Sequence, residues 1–114
     1  MNQEELKSWA KYFNRQEGRA YPCSNQIVLC AVITEDRDKA LSIMEQKGAT
    51  LKRLFHDHLE WELNNERWRW MNWNMRCRGY RFYKIVVDKD IDENIFKYVA
   101  LPNAGSYCCS MEII

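Results

Sequence analysis

Six cations and six aromatic rings are interleaved in one stretch of this chain. From Arg67 to Lys84 the basic residues are Arg67, Arg69, Arg76, Arg78, Arg81 and Lys84, with no Asp or Glu among them. The rings are Trp68, Trp70, Trp73, Tyr80, Phe82 and Tyr83. Five of the six cations are Arg, whose planar guanidinium stacks on rings and grips phosphate or carboxylate through two hydrogen bonds. Basic residues alternating with aromatics form the chemical pattern of a single-strand or nucleotide site. There, rings stack on bases and arginines follow the phosphates. The residues expected to contact a phosphate-bearing ligand are therefore Arg67, Arg69, Trp70, Trp73, Arg76, Arg78, Arg81 and Tyr83. A structural alternative uses the same residues. Tryptophan is costly to leave in water, arginine packs its stem over indole, and the cations then pair with carboxylates elsewhere.

Carboxylates are in surplus elsewhere. The chain has 114 residues with 17 Lys+Arg and 16 Asp+Glu, a formal charge of +1. Outside the segment eleven basic residues face sixteen acidic ones, a balance of −5.

Other candidates for chemistry are thin. His56-Asp57-His58 is the one histidine cluster. On a helix, i and i+2 side chains point apart and cannot share a metal, and the i, i+4 pair of H-E-x-x-H is absent. His58 reads as a satisfied core histidine. The cysteines are Cys23, Cys30, Cys77, Cys108 and Cys109. They lack C-x-x-C spacing and read as small buried hydrophobes. A cysteine nucleophile would be Cys108 or Cys109 beside a histidine. G-x-G-x-x-G, P-loop and G-x-S-x-G motifs are missing. No catalytic residue, metal or cofactor is expected, and the reading leans away from an enzyme.

The elements that must position the segment are read from periodicity. Leu6, Trp9, Ala10 and Phe13 predict a helix over 2–17, with Asn2 as cap, Glu5 in capping-box position and Gly18 as stop. Pro22 and Asn25 mark a loop over 19–25. The apolar run 26–33 predicts a strand covered on both faces. Thr34 is expected to cap a helix over 35–47, with Ala40, Leu41, Ile43 and Met44 inward and Gly48 ending it. From Thr50 to Arg78 there is no Gly or Pro. Leu51, Phe55, Leu59, Trp70, Trp73 and Cys77 share one face at helical spacing, and Arg76-Cys77-Arg78-Gly79 looks like a helix end. One long helix, 50–78, is the preferred reading. On it Glu62 and Glu66 could pair with Arg69. The rival reading breaks the segment at Asn64-Asn65 and makes 67–73 a strand, since Trp68 and Trp70 alternate with charges. Tyr80 to Val87 predicts a strand, 88–93 an acidic turn, 102–105 a turn and 107–114 a last strand. The segment 94–101 is assigned to neither helix nor strand. Residues 1–114 are thus expected to form one two-layer α+β domain, with three or four mostly antiparallel strands and about three helices.

A second stripe follows from the long helix. Leu54, Trp61, Trp68 and Met75 recur every seven residues, with Met71 nearby, roughly opposite the first face. A helix apolar on two sides cannot bury both against one sheet. Leu54, Trp61, Trp68, Met71 and Met75 are therefore candidate contacts to a protein partner or a second copy of the chain. His58, Asn65 and Asn72 interrupt any leucine-type heptad.

Hydrophobic residues are 46% and charged residues 29%. That composition fits a globular domain and excludes a disordered one. No apolar run approaches the ~20 residues of a membrane span. The odd cysteine count and a start without a signal-peptide pattern lead to the expectation of a cytoplasmic protein with free thiols and no membrane partner. In size, in its lack of catalytic motifs and in its Trp/Arg patch, the chain resembles the small proteins that phages and mobile elements encode to block host defence. That likeness of type implies an inhibitor acting on a protein. Two functions are carried forward: a nucleic-acid or nucleotide binder working through 67–84, and a protein-docking inhibitor, homodimeric in one version, working through the Trp61/Trp68/Met71/Met75 stripe.

Overall fold

In a computed structural model the described residues are 1–15, 28–105 and 108–114. The end of the first helix, Gly18, the loop at Pro22 and Asn25, Cys23, the first residues of the 26–33 strand and the 107 start of the last strand lie outside them.

The chain is α+β, with six strands and three helices among the described residues. Helix α1 spans Gln3–Asn14 and is capped by the Asn2 side chain, which accepts from Glu4 N–H. Strand β1 is Val28–Ile33, followed by helix α2, Arg37–Gln46. Asp36 caps α2, accepting from Asp38 and Lys39 N–H groups, so the cap is two residues later than Thr34. Gly48, at φ 77°, takes the left-handed turn after it. Strands β2 (Thr50–Leu54), β3 (His58–Leu63) and β4 (Glu66–Met71) form an antiparallel meander, and β5 is Lys84–Val87. Helix α3 runs in three pieces: Glu93–Ile95, a π-helical turn Phe96–Ala100, and Leu101–Ala104. Pro102 is inside it, where a turn was expected. Strand β6 is Ser110–Ile113.

The strands form one mixed sheet in the order β2-β3-β4-β1-β5-β6. Three neighbouring pairs are parallel: β1 with β4, β1 with β5, and β5 with β6. The expected three or four mostly antiparallel strands are corrected on both counts. So is the two-layer arrangement. Cys30, Ala31, Val32 and Ile33 in the central strand are all fully buried, which requires cover on both faces. The crossovers β1-α2-β4 and β5-α3-β6 leave in opposite directions, and right-handed connections then put α2 and α3 on opposite faces. Helix α1 joins the α3 side, where Glu5 lies 3.8 Å from Lys97.

The long helix over 50–78 does not exist. Its place is taken by β2, β3, β4 and a loop; the rival reading had the break at Asn64-Asn65 and a strand over 67–73, close to β4, but neither β2 nor β3. Asn64 and Asn65, at φ 50° and 66°, make a two-residue turn that closes the β3–β4 hairpin. Six cross-strand pairs follow, including Trp61 opposite Trp68 and Leu59 opposite Trp70. Of the apparent seven-residue stripe, only Trp61 and Trp68 meet face to face; Leu54 lies opposite Leu59, and Met75 is in the loop after β4.

Candidate functional site

Strand β4 sorts its residues by alternation. Glu66, Trp68 and Trp70 point to the α2 face, and Arg67, Arg69 and Met71 to the other. The indoles are core. Trp70 is 1% exposed and Trp73 6%. Beyond Ala31 and Arg69, β4 no longer pairs with β1. The indole N–H groups then serve carbonyls at the end of β1 and just after it. Trp73 Nε1 donates to Val32 O and Trp70 Nε1 to Thr34 O, both at 2.8 Å. Trp61 and Trp68 are buried as well. None of these four rings lies on the surface in this state. That is the structural alternative raised by the sequence.

The arginines behave differently. Arg67, Arg76, Arg78 and Arg81 are exposed and Arg69 is half-buried. Arg69 Nη2 lies 2.9 Å from Glu60 Oε1, and its guanidinium sits 5.6 Å from the Tyr80 ring centroid. Tyr80 stacks on Phe82, which meets Trp73 edge-on. A column Arg69–Tyr80–Phe82–Trp73 thus links surface to core, and explains why cations and rings interleave here. Glu60 also receives Arg53 at 3.2 Å and His58 Nε2 at 3.6 Å. Arg69 is therefore paired across strands, and not with Glu62 or Glu66 along a helix. Burial pushes the Glu60 carboxyl up, but the Arg69 hydrogen bond and the charges of Arg69, His58 and Arg53 outweigh it and hold the group low.

Residues 72–83 form a loop beside this face, anchored on Asn103, which is 3% exposed. The Asn103 side chain accepts from Tyr80 N–H at 3.1 Å and donates to Cys77 O at 3.0 Å and Val99 O at 2.8 Å. Its backbone carbonyl accepts from Phe82 N–H. Where a strand was expected from Tyr80, the chain stays in this loop until Lys84. Arg78 Nε reaches Met75 O at 3.3 Å. The Arg67 face of β2–β4 and the loop together carry Arg53, Arg67, Arg69, Arg76, Arg78 and Arg81, with Arg53 and Arg69 paired to Glu60. Tyr83 is half-buried, its backbone tied to Leu29 and Cys109.

Lys84 belongs to the opposite face. It lies 2.5 Å from Glu66, and Lys47 lies 2.6 Å from Glu112. These pairs line an open pocket of about 320 Å3 with Trp68 and Ser110. Two cations and two carboxylates cancel there, so it is not an anion site. Of the stripe residues, Leu54 and Met75 are exposed and Met71 is half-buried. With Trp61 and Trp68 inside, the five do not form one surface.

Cys108 and Cys109 are buried near β6, at the far end of the sheet from His58 on β3, so the structure makes no such pair. Burial, with Glu66 adding to it, pushes the Cys30 thiol up and keeps it inert. His56 is exposed and His58 half-buried. Among the described residues no cluster of three or more His, Cys, Asp or Glu could hold a metal ion. Among them also, no helix is long and apolar enough to cross a membrane.

One constellation was not anticipated from sequence. Asp88 follows β5 and Thr34 follows β1, where the two crossovers diverge. Asp88 accepts from Thr34 Oγ1 at 2.8 Å, Lys39 Nζ at 2.6 Å and Asp90 N–H at 2.9 Å. Ligands of open sheets often sit at such a point. Here the carboxylate is spent on fastening α2 to β5. Burial pushes Asp88 up, and these bonds hold it down overall. A carboxylate held low stabilises the fold above its unfolded pKa, and that contribution is lost as pH falls through the lower folded value. Stability is therefore expected to be flat above about pH 5 and to fall as pH drops below about 4. Urea midpoints across this range check it. Glu60→Gln and Asp88→Asn should each flatten the acid limb.

No family model, no curated protein and no solved structure matches the chain.

Proposed function

We propose that this is a non-catalytic binding protein whose arginine face engages the phosphates of an extended polyanion, a nucleic acid in the leading version. The observation that carries this is the sorting of residues 67–83: the tryptophans go inside, while Arg67, Arg76, Arg78 and Arg81 stay exposed beside Arg53 and Arg69. An extended polyanion suits them better than a single nucleotide, because they are spread over a sheet face and a loop. The pocket between Lys47, Lys84, Glu66 and Glu112 is charge-balanced and on the other face. With the indoles internal, charge contributes most of the binding and base stacking little. Such binding weakens steeply with salt through counterion release.

Arg76→Ala with Arg78→Ala tests this. Both side chains are exposed, so the fold should stand. Anisotropy titrations of a labelled oligonucleotide should show weaker binding for the double variant. The slope of log affinity against log salt should fall by about two. Unchanged affinity and slope would remove the basis for the reading.

A further inference from the structure

The two edges of the sheet are treated differently. At β6 the edge is closed. Ile114 donates to Val87 O and accepts from Lys89 N–H, so residues of even number face β5 and Met111 faces outward. There the Asn14 side chain accepts from Met111 N–H at 2.9 Å and donates to Met111 O at 3.2 Å. One amide from the end of α1 takes both outward groups of Met111, within the edge strand, so an added strand would have to displace it.

At β2 the edge is open. All five residues of Thr50–Leu54 are exposed. Among the described residues their backbone groups pair with β3 alone. A register shift between Leu51 and Arg53 makes Lys52 an extra residue. Leu51 then lies opposite Trp61 and Leu54 opposite Leu59, so both leucines stand on the face that carries the tryptophans. They are 43% and 59% exposed; Phe55, 52% exposed, follows them but stacks on His58 of the other face. Arg53 lies opposite Glu60 on the other face, and Lys52 reaches Glu62 there at 3.7 Å. Glu60 already has Arg69 and His58 for company, so the basic side keeps an excess of positive charge. The edge is two-faced, apolar on one side and basic on the other.

We infer that β2 is the docking edge for an extended segment of another protein, one that alternates apolar and acidic residues. Its apolar side chains extend the Leu51–Leu54 row, and its acidic side chains meet Lys52 and Arg53. Backbone hydrogen bonds supply affinity and the alternate side chains supply choice. A second copy of the chain is a poor occupant. Pairing β2 with β2 sets Lys52 and Arg53 of both copies on one face, and like charges across a pair destabilise it. The other edge of a second copy is closed by Asn14. The charges that guard this edge against itself select an acidic strand.

The test is an NMR titration of the 15N-labelled full chain with a short capped peptide alternating valine and glutamate, and with a twin carrying lysine for glutamate. Amide shifts are expected at 50–55 and on the adjoining strand at 59–62, with new exchange protection on β2. The glutamate peptide should bind about tenfold more tightly than its twin. Arg53→Glu should narrow or reverse that preference, and Leu54→Asp should weaken both peptides. Both sites are exposed, so folding is not at stake, and Lys52→Glu is a second charge variant. Equal affinity for the two peptides overturns the proposal, as do shifts away from β2 or none at millimolar peptide. Concentration-dependent shifts at β2 without peptide overturn it in favour of a second copy.

Discussion

Trp70→Ala is expected to remove about 3–5 kcal/mol of stability, the range for deleting a large buried aromatic. Natural domains have about 5–15 kcal/mol in total, so the loss is a large share of the stability and should lower the urea midpoint markedly. Two losses add. The indole, 1% exposed, leaves a cavity between α2 and the sheet. The Thr34 carbonyl, which it caps at 2.8 Å, loses its donor at the point where β1 has lost β4 as a neighbour. Trp70→Phe separates the two, since it keeps most of the volume and loses only the N–H. It should cost about 1–3 kcal/mol, the penalty for a buried acceptor left unpaired. Urea denaturation followed by far-UV circular dichroism measures both. If Trp70→Ala unfolds like the parent, the indole is not in the core, and a stacking surface made of tryptophans returns as the better account.

Asn103→Ala is the second large effect, and it joins fold to function. One side chain holds Tyr80 N–H, Cys77 O and Val99 O. Removing it leaves these groups to find water or go without, at about 1–3 kcal/mol. The damage should concentrate in 72–83, because the loop has few other ties to α3. Hydrogen exchange at the Tyr80 amide should accelerate more than exchange in β1. Polyanion affinity should drop although no arginine has changed, because Arg76, Arg78 and Arg81 lose their common frame. Equal acceleration everywhere would make Asn103 an ordinary core residue and detach the loop from the proposed function.

The outer elements were legible from residues alone. Asn2 and the Leu6/Phe13 spacing marked the first helix. The apolar run ending at Ile33 marked a strand buried on both faces, and Gly48 marked the end of α2. The middle was misread for a physical reason. Leu51, Phe55, Leu59, Trp70 and Trp73 fit a helical face by spacing, but in the meander Leu59 meets Trp70 across the Asn64-Asn65 hairpin and Leu51 meets Trp61 across the neighbouring pair of strands. The deciding signal was the strict alternation in His58–Leu63 and again in Arg67–Trp70. It was outweighed by the absence of Gly and Pro, although two asparagines can take positive φ themselves. Of the candidate site, the arginines were legible as a cluster of cations; Arg67, Arg76, Arg78 and Arg81 are exposed, whereas Arg69 pairs with Glu60, the outcome the surplus of carboxylates had offered. Which rings were core was not legible, because burial of Trp70 and Trp73 depends on carbonyls at the end of β1 and just after it, some forty residues earlier in the chain. The Asp88 latch and the open β2 edge rest on long-range pairing that local spacing does not encode.

The central claim is that the exposed arginines of strand β4 and the 72–83 loop bind phosphates while the tryptophans remain internal. The most direct measurement is anisotropy of labelled single-stranded and duplex oligonucleotides over a salt series, with tryptophan emission recorded in parallel. Saturable binding is expected that weakens by orders of magnitude between about 50 and 200 mM salt, as counterion release requires. Indole emission should change little. Absence of binding at the lowest salt, or binding indifferent to salt, would contradict the account.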